Sequence, residues 1–296
     1  MAEKPADLIS TKKIIAITPA RDEERLLPGL IESMAAQTCK PAHWIIIDDG
    51  SGDNTAAIVD RAAATHRWIK VHHLPSNRPR GFGGESVVMK FLPREVWSEH
   101  DFILRLDADL TFGPDLIENL IAEFVKDPEL GIAGAVLFEP WRSGWRPTGE
   151  LPQFHTRGAA KMYSRRCFDA IGGLQADLGW DTIDEVKAMM AGFRTRSFRH
   201  INAYHHRPQG IANGLIRGRL VTGRAAYSIG YSPLFMAVRA ARRLMSKPPV
   251  AGSVLLMLGF FDGYLRRLPR VASPEQVKFV RREQRRRLLM LDSLWR

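Results

Sequence analysis

Cysteine is scarce: Cys39 and Cys167 are the only two in 296 residues. So distant a pair excludes a disulfide-stapled fold and a cysteine-rich zinc site, and it points to a reducing compartment. The opening MAEKPADLISTKK also has no apolar core of the kind a secretory leader needs. No stretch reaches the ~20 consecutive apolar residues that a membrane-spanning helix needs. The longest apolar run of the tail, Val250 to Leu265, holds 16 residues, follows Pro248 and Pro249, and is broken by Asp262. Repeats and low-complexity segments are absent too. What remains is a globular composition, 45% hydrophobic and 25% charged, on a chain long enough for a full core. These features predict a cytoplasmic protein.

Negative charge is what the tail lacks. From Ile201 to Arg296 there are 18 Lys and Arg against four acids, Asp262, Glu275, Glu283 and Asp292, a net +14. The whole chain is +11, so the first 200 residues carry −3. Such asymmetry suggests a tail that meets something anionic. A nucleic-acid-binding protein would carry a helix-turn-helix or a basic-aromatic module, and neither is evident. Anionic lipid suits the tail better. The apolar run lies between RAARRLMSK and RRLPR, and VKFVRREQRRRLLMLDSLWR reads as a basic helix with an apolar face, so both fit a membrane surface. Packing on the rest of the chain, or on a second copy in a homodimer, is the alternative.

Ahead of the tail, short apolar runs alternate with helical spacing. KIIAITP, HWIIIDD, WIKVHHL, DFILRLDAD and LGIAGAVLF read as strands, with helix-like segments such as TAAIVDRAAATH and PDLIENLIAEFVKD between them. That order predicts an α/β fold with a mostly parallel sheet covered by helices on both faces. From Glu139 to Gly179 the pattern gives way to loops and one short strand, RGAAKMYSR. TIDEVKAMMAG is again helical, with Gly192 as its stop.

Acidic residues fall where such a sheet binds ligands, at the carboxyl ends of strands. Asp22 and Glu23 follow the first strand, Asp48 and Asp49 end the second, and ILRLDADL (residues 103–110) places Asp107 and Asp109 one residue apart. On a strand the last two would stand side by side. At roughly 5 Å and an effective dielectric of about 20 they repel by about 3 kcal/mol. A proton, a basic neighbour or a cation must offset that. Hard oxygen ligands select Mg²⁺ or Mn²⁺, which bridge to substrate phosphates.

These segments together resemble family 2 glycosyltransferases with the GT-A fold, a Rossmann-like sheet. TPARDEE (18–24) is similar to that family's P-x-x-N-E-E, IIIDDGSGDNT (45–55) to its V-D-D-G-S-x-D-x-T, and DAD (107–109) stands at its D-x-D. IGGL and GWDTIDEVKAMMAGF resemble its G-G stretch and its acceptor-side E-D motif. The resemblance runs from about Ile14 to Pro208. It implies a catalytic domain over 1–208, with a nucleotide half to about 110 and an acceptor half over 111–208. A basic helical extension follows over 209–296.

It also implies roles. Pro19, Ala20, Arg21, Glu23 and Asp49, with Ser51 nearby, would hold the base and ribose of a nucleotide sugar, and Arg80 would touch the nucleotide. Asp107 would meet ribose or metal, and Asp109 the metal and diphosphate. His205 or His206 would join them. Asp22 stands at the family's Asn, and Trp180 replaces the acid of the E-D pair on the acceptor side. Asp181 lies at the spacing of the catalytic base, with Asp184 and Glu185 one turn on as alternatives. Arg157 would contact acceptor phosphate. The implied reaction is a metal-dependent, inverting transfer of a hexosyl group, UDP being the commonest donor carrier, to a hydroxyl on a lipid-linked or polysaccharide glycan. The expected place is peripheral, on the inner face of the cell membrane. A sugar-phosphate nucleotidyltransferase would instead carry a glycine-rich, Arg-containing loop straight after the first strand, where TPARDEE stands.

Overall fold

The computed structural model describes residues 9, 11–76, 88–89, 91–148, 152–174, 178–207, 215–244 and 249–295. Four parallel strands open the sheet: β1 (Ile14–Ala20), β2 (His43–Asp48), β3 (Ile69–His73) and β4 (Phe102–Leu106) lie in the order β3-β2-β1-β4. Helices α1 (Leu27–Ala35) and α2 (Thr55–Thr65) make the first two crossovers, and a one-turn α3 (Arg94–Trp97) precedes β4. After β5 (Leu110–Phe112) and α4 (Leu116–Lys126), the sheet continues through the long β6 (Leu130–Trp141). Its hairpin partner is β7 (Gly144–Pro147). β8 (Ala160–Ser164) is antiparallel to both β4 and β6. Beyond β6 come β9 (Arg194–His205), parallel to it, and then β5, antiparallel to β9.

Alternation along the strands builds two cores. Ile14 and Ala16 pack beneath α1, α2 and α4, whereas Ile15 and Ile17 face Trp97 and α5 (Arg165–Ile171). This is what a sheet covered on both faces requires of continuous apolar strands. Local signals set the helix ends. Ser164 caps α5 by accepting from the Cys167 N–H at 3.3 Å, and Gly172, at φ 75°, ends it in the left-handed region.

The basic extension is helical, as expected: α7 (Leu215–Ile229), α8 (Pro233–Arg242), α9 (Ala251–Leu265) and α10 (Pro274–Leu288). Ser232 and Ser273 cap α8 and α10 ahead of Pro233 and Pro274. The extension shares a third core with α6 (Trp180–Met190). Ile183, Val186 and Met189 of α6 meet Tyr227, Met236, Leu256, Phe260, Val280 and Trp295. Helix α6 therefore rests on the tail.

Two glycines let α7 and α9 touch backbone to backbone. A methyl group on Gly259 would lie 2.1 Å from the Leu220 carbonyl oxygen, and one on Gly223 would lie 2.2 Å from that of Leu256. Backbone cannot yield as a side-chain tip would, so the helices must separate. Gly259→Ala should destabilise the protein by about 1–3 kcal/mol in urea denaturation. Gly144→Ala, where nothing lies within 4 Å of the added methyl, should change stability little.

Candidate active site

β1, β2 and β4 run parallel and adjacent, so their carboxyl ends share one edge. Pro19 and Ala20 close β1 opposite Ile47 and Asp48, and the Asp49 N–H donates to the Ala20 carbonyl at 2.8 Å. Arg21 pairs with Asp49 across 3.8 Å. Asp22, at φ 56°, laces the two loops together: its N–H donates to Ser51 Oγ at 3.0 Å, and its carboxylate accepts the Gly52 N–H at 2.8 Å. Asp48 is buried, accepting from the Ser51 N–H at 3.0 Å and lying 2.9 Å from His73 Nδ1. It shapes the loop, while Asp49 beside it is only partly buried and faces Arg21. Arg80 lies outside the described residues.

The reading of Asp107 and Asp109 as strand neighbours is corrected. β4 stops at Leu106, and both carboxylates sit in the turn to β5. The turn still brings them together. Ligand atoms of Asp107, Asp109 and His205 all lie within 4.8 Å of one another. Pairing of β5 with β9 sets Leu110 opposite His205 and delivers the imidazole, whose Nε2 is 3.0 Å from Asp109. The histidine pair divides here. His206 turns away, its Nε2 2.8 Å from Thr111 Oγ1 and its ring edge-on to Trp145.

Basic neighbours offset part of the negative charge. Arg105, buried on β4, donates to Asp107 and, at 2.9 Å, to the Gly158 carbonyl. Arg207 pairs with Glu23 and lies 3.7 Å from Asp109. Burial pushes the Glu23 carboxyl up to about 7; Arg207 opposes this, and Asp109 and Asp107 add to it. For His205, burial disfavours the imidazolium, but Asp109 and Asp107 more than compensate and hold its pKa above the ordinary histidine value. His205 Nδ1 is buried and finds no partner among the described residues. Two carboxylates and an imidazole fit a divalent cation such as Mn²⁺ or Mg²⁺. Arg105 and Arg207 were not among the expected site residues. Arg105 was in plain view, a charge inside an apolar strand.

On the acceptor side, α6 separates the candidate carboxylates. Asp184 is buried with Lys161 at 3.0 Å, and Tyr163 donates to it. Glu185 is fully buried, accepting from the Thr156 N–H at 2.6 Å and Oγ1 at 2.7 Å, with His155 at 2.9 Å. Burial raises Asp184 to about 7 despite Lys161. For Glu185 burial works the same way, but His155, Lys161 and Thr156 outweigh it and lower its pKa. Both are thus internal to the fold. Asp181, in the first turn of α6, is only partly buried, and no side-chain hydrogen bond occupies its carboxylate among the described residues. Lys161 fixes that turn by donating to the Asp181 carbonyl at 2.7 Å. Trp180 stacks near Arg105 (5.2 Å) and fills the space at Gly158, tying the start of α6 to the Asp107 side. Arg157 donates to the Thr148 carbonyl at 3.1 Å, and burial lowers its pKa while Glu139 and Asp181 oppose that.

The two kinds of carboxylate respond differently to substitution. Lys161→Met strands Asp184 and Glu185 without their cation and should cost about 3–5 kcal/mol in chemical denaturation. Asp181→Asn should stay within about 1 kcal/mol of the parent. Equal costs would place Asp181 in the structural network.

Comparison with known proteins places the chain. The family model described as glycosyl transferase family 2 matches residues 15–176, more than half of it. The undecaprenyl-phosphate 4-deoxy-4-formamido-L-arabinose transferase of Pectobacterium carotovorum subsp. carotovorum is 33% identical over 113 residues, 37% of this chain and 33% of the relative. The polyprenol monophosphomannose synthase of Mycolicibacterium smegmatis is 27% identical over 149 residues, 47% of this chain and 54% of the relative. The matches thus span about a third to a half of these relatives' length. Among solved structures, a mannosyltransferase from Pyrobaculum calidifontis in complex with GDP-Man and Mn²⁺ superposes with a TM-score of 0.56 at 15% identity, over 91% of this chain and 78% of that one. TarS 1–349 of S. aureus, in complex with UDP-GlcNAc, gives 0.58 at 16% identity, over 94% and 86%. The expected mixed α/β GT-A architecture is borne out by these likenesses. From its motifs, its fold and the match over residues 15–176, the chain belongs to glycosyl transferase family 2.

Proposed function

We propose that the chain transfers a sugar from a nucleotide-sugar donor to a hydroxyl of a lipid-linked or cell-envelope glycan, using a divalent cation at Asp107, Asp109 and His205. That cluster, beside the Arg21–Asp49 and Glu23–Arg207 pairs at the carboxyl edge of the sheet, is the observation that carries the reading. Neighbours solved with GDP-Man and Mn²⁺ or with UDP-GlcNAc support a nucleotide-linked donor. Asp49, Arg21, Glu23, Pro19, Ala20 and Ser51 would hold base and ribose. When bound, the cation neutralises the diphosphate as it departs. Asp181 takes the acceptor proton as the hydroxyl attacks the anomeric carbon, and a single displacement inverts its configuration. Trp180 beside it would form one wall for the acceptor.

A second reading of the acceptor comes from the relatives named for undecaprenyl phosphate and polyprenol products. A phosphate oxygen is already ionised and needs no base. Both readings predict that Asp109→Ala abolishes Mn²⁺-dependent transfer in a screen of nucleotide sugars. They part at Asp181→Asn: with a hydroxyl acceptor the rate should fall by about 10²–10⁴, and with a lipid phosphate it should persist. Unchanged transfer by Asp109→Ala would remove the metal site from the reaction.

The place of action we propose is peripheral, on an anionic membrane face. Among the described residues, no helix is long and apolar enough to cross a bilayer. One face of α9 is nevertheless open: Val254, Leu258, Phe261 and Leu265 are each about half exposed or more, while Leu256, Gly259 and Phe260 pack inward. Arg266 and Arg267 lie exposed at its end. An apolar stripe next to cations complements anionic lipid, with about 1 kcal/mol per basic residue near the surface. The protein should sediment with phosphatidylglycerol vesicles at low salt, and Phe261→Ser with Leu258→Ser should weaken this while leaving donor binding intact. Indifference to vesicles together with concentration-dependent dimerisation would assign the stripe to a second copy.

A further inference from the structure

Beside the nucleotide edge of the sheet lies an imidazole that the reaction as derived above does not use. His73 closes β3 in register with Asp48, the last residue of β2. Its ring is held between two acids. Nδ1 lies 2.9 Å from the buried Asp48 carboxylate, and Nε2 lies 3.0 Å from Asp60 in α2. A carboxylate only accepts hydrogen bonds, and a neutral imidazole has one N–H to give. The imidazolium, with two, satisfies both partners at once. The bridge therefore selects the charged ring.

What the bridge holds is the loop that carries Asp49 and Ser51. Asp48 accepts the Ser51 N–H at 3.0 Å with its other carboxylate oxygen, and its carbonyl accepts the Leu74 N–H at 2.8 Å. Gly50, at φ 72°, lies so close to the chain after β3 that a methyl group on it would stand 2.5 Å from the Pro75 carbonyl oxygen. At its far end the loop enters α2, where Thr55 Oγ1 accepts the Glu23 N–H at 2.7 Å. His73 thus ties the two strand ends on one side of the loop to the helix on the other.

Among the described residues, the charges that face the ring come from two elements: β2 presents Asp48 and α2 presents Asp60. Within the loop, Asp49 faces Arg21, and Asp53 accepts from Thr55. Arg61, next on α2, lines a groove with Glu24 and Asn54. On β3 itself Lys70 and His72 fall on the opposite face, where His72 stacks on Phe91 at 4.3 Å. Asp48 holds the His73 pKa above the ordinary histidine value; partial burial opposes this, and Asp60 adds to it.

We propose that His73, as the imidazolium, is a positioning residue for the donor nucleotide: it clamps the 49–54 loop between β2 and α2 and so sets Asp49 and Ser51 in place. When the proton leaves for solvent, one N–H must serve two carboxylates, the buried Asp48 loses the charge of the ring, and the loop loosens. The clamp is complete at low pH and is lost as pH rises through the His73 value. Because a bound nucleotide favours the clamped loop, it must in return tighten the hold of His73 on its proton. The role in nucleotide binding rests on the donor reading above; the clamp itself does not.

The test follows the His73 ring and the Ser51 and Gly52 amides of the full chain by NMR from about pH 5.5 to about pH 8.5, the range over which a histidine changes charge. UDP and GDP with Mg²⁺ are added in a second series. Without nucleotide, both amides should titrate together with the ring, at a midpoint above about 6.5. His73→Gln should abolish that step in the amides. Asp60→Asn, exposed on α2, should move the midpoint down, because a neutral amide holds the imidazolium less well. With nucleotide the midpoint should rise. Affinity should then fall roughly threefold or more from about pH 6 to about pH 8, beyond whatever fall His73→Gln retains, a rise of one unit in the ring's value being worth about tenfold. The difference between parent and variant removes the contributions of Glu23, His205 and the nucleotide's own phosphates. The proposal is overturned if the ring titrates at or below the ordinary histidine value, if the amides do not follow it, or if parent and His73→Gln lose affinity equally as pH rises. A ring and loop that titrate together in a protein that binds neither nucleotide would support the clamp and overturn its donor role along with the donor reading, so the two fail separately.

Discussion

Charges of one sign cannot be gathered in a half-buried place without something to neutralise them, and that constraint organises the functional half of the molecule. At the carboxyl edge of the sheet Glu23, Asp107 and Asp109 converge, and the protein supplies Arg105, Arg207 and His205 against them. These partners hold the carboxylates in place at the edge of the sheet. The same balance inside the fold has the opposite purpose. Lys161 between Asp184 and Glu185 is sealed from solvent and closed on itself. It locks the first turn of α6, and with it the position of Asp181.

Much of this was legible in the sequence. Continuous apolar runs ending in acids mark β1, β2 and β4 and the edge at which a ligand sits, and the order of the motifs identifies the family. β9 was not legible, because RTRSFRHINAYH alternates weakly and carries its arginines outward, so nothing local marks it as a strand. Its pairing with β5, which brings His205 to a carboxylate about a hundred residues earlier in the chain, is decided only by the folded sheet. Nor could spacing separate Asp181 from Asp184 and Glu185. The three lie within two turns of one helix, and only the packing of α6 against β8 and the loop before it shows which are buried. His205 and His206 posed the same problem at strand spacing, where neighbours face opposite sides.

The tail shows how an ambiguous composition resolves. Its apolar helix is too short to span a bilayer and too apolar to lie free. The structure uses it on two sides. One face packs glycine to backbone against α7 and supports α6; the other is left open beside exposed arginines. Helix α6 thus borrows its core from the very segment that carries the positive charge.

The central claim is that the cluster of Asp107, Asp109 and His205 holds a divalent cation that in turn holds a nucleoside diphosphate. Calorimetric titration of UDP and GDP into the protein, with Mn²⁺ and then with EDTA, tests it most directly. At least one nucleotide should bind at least tenfold more tightly with Mn²⁺, and Asp109→Asn should remove the difference. Equal affinity in Mn²⁺ and EDTA, for both nucleotides, would contradict it.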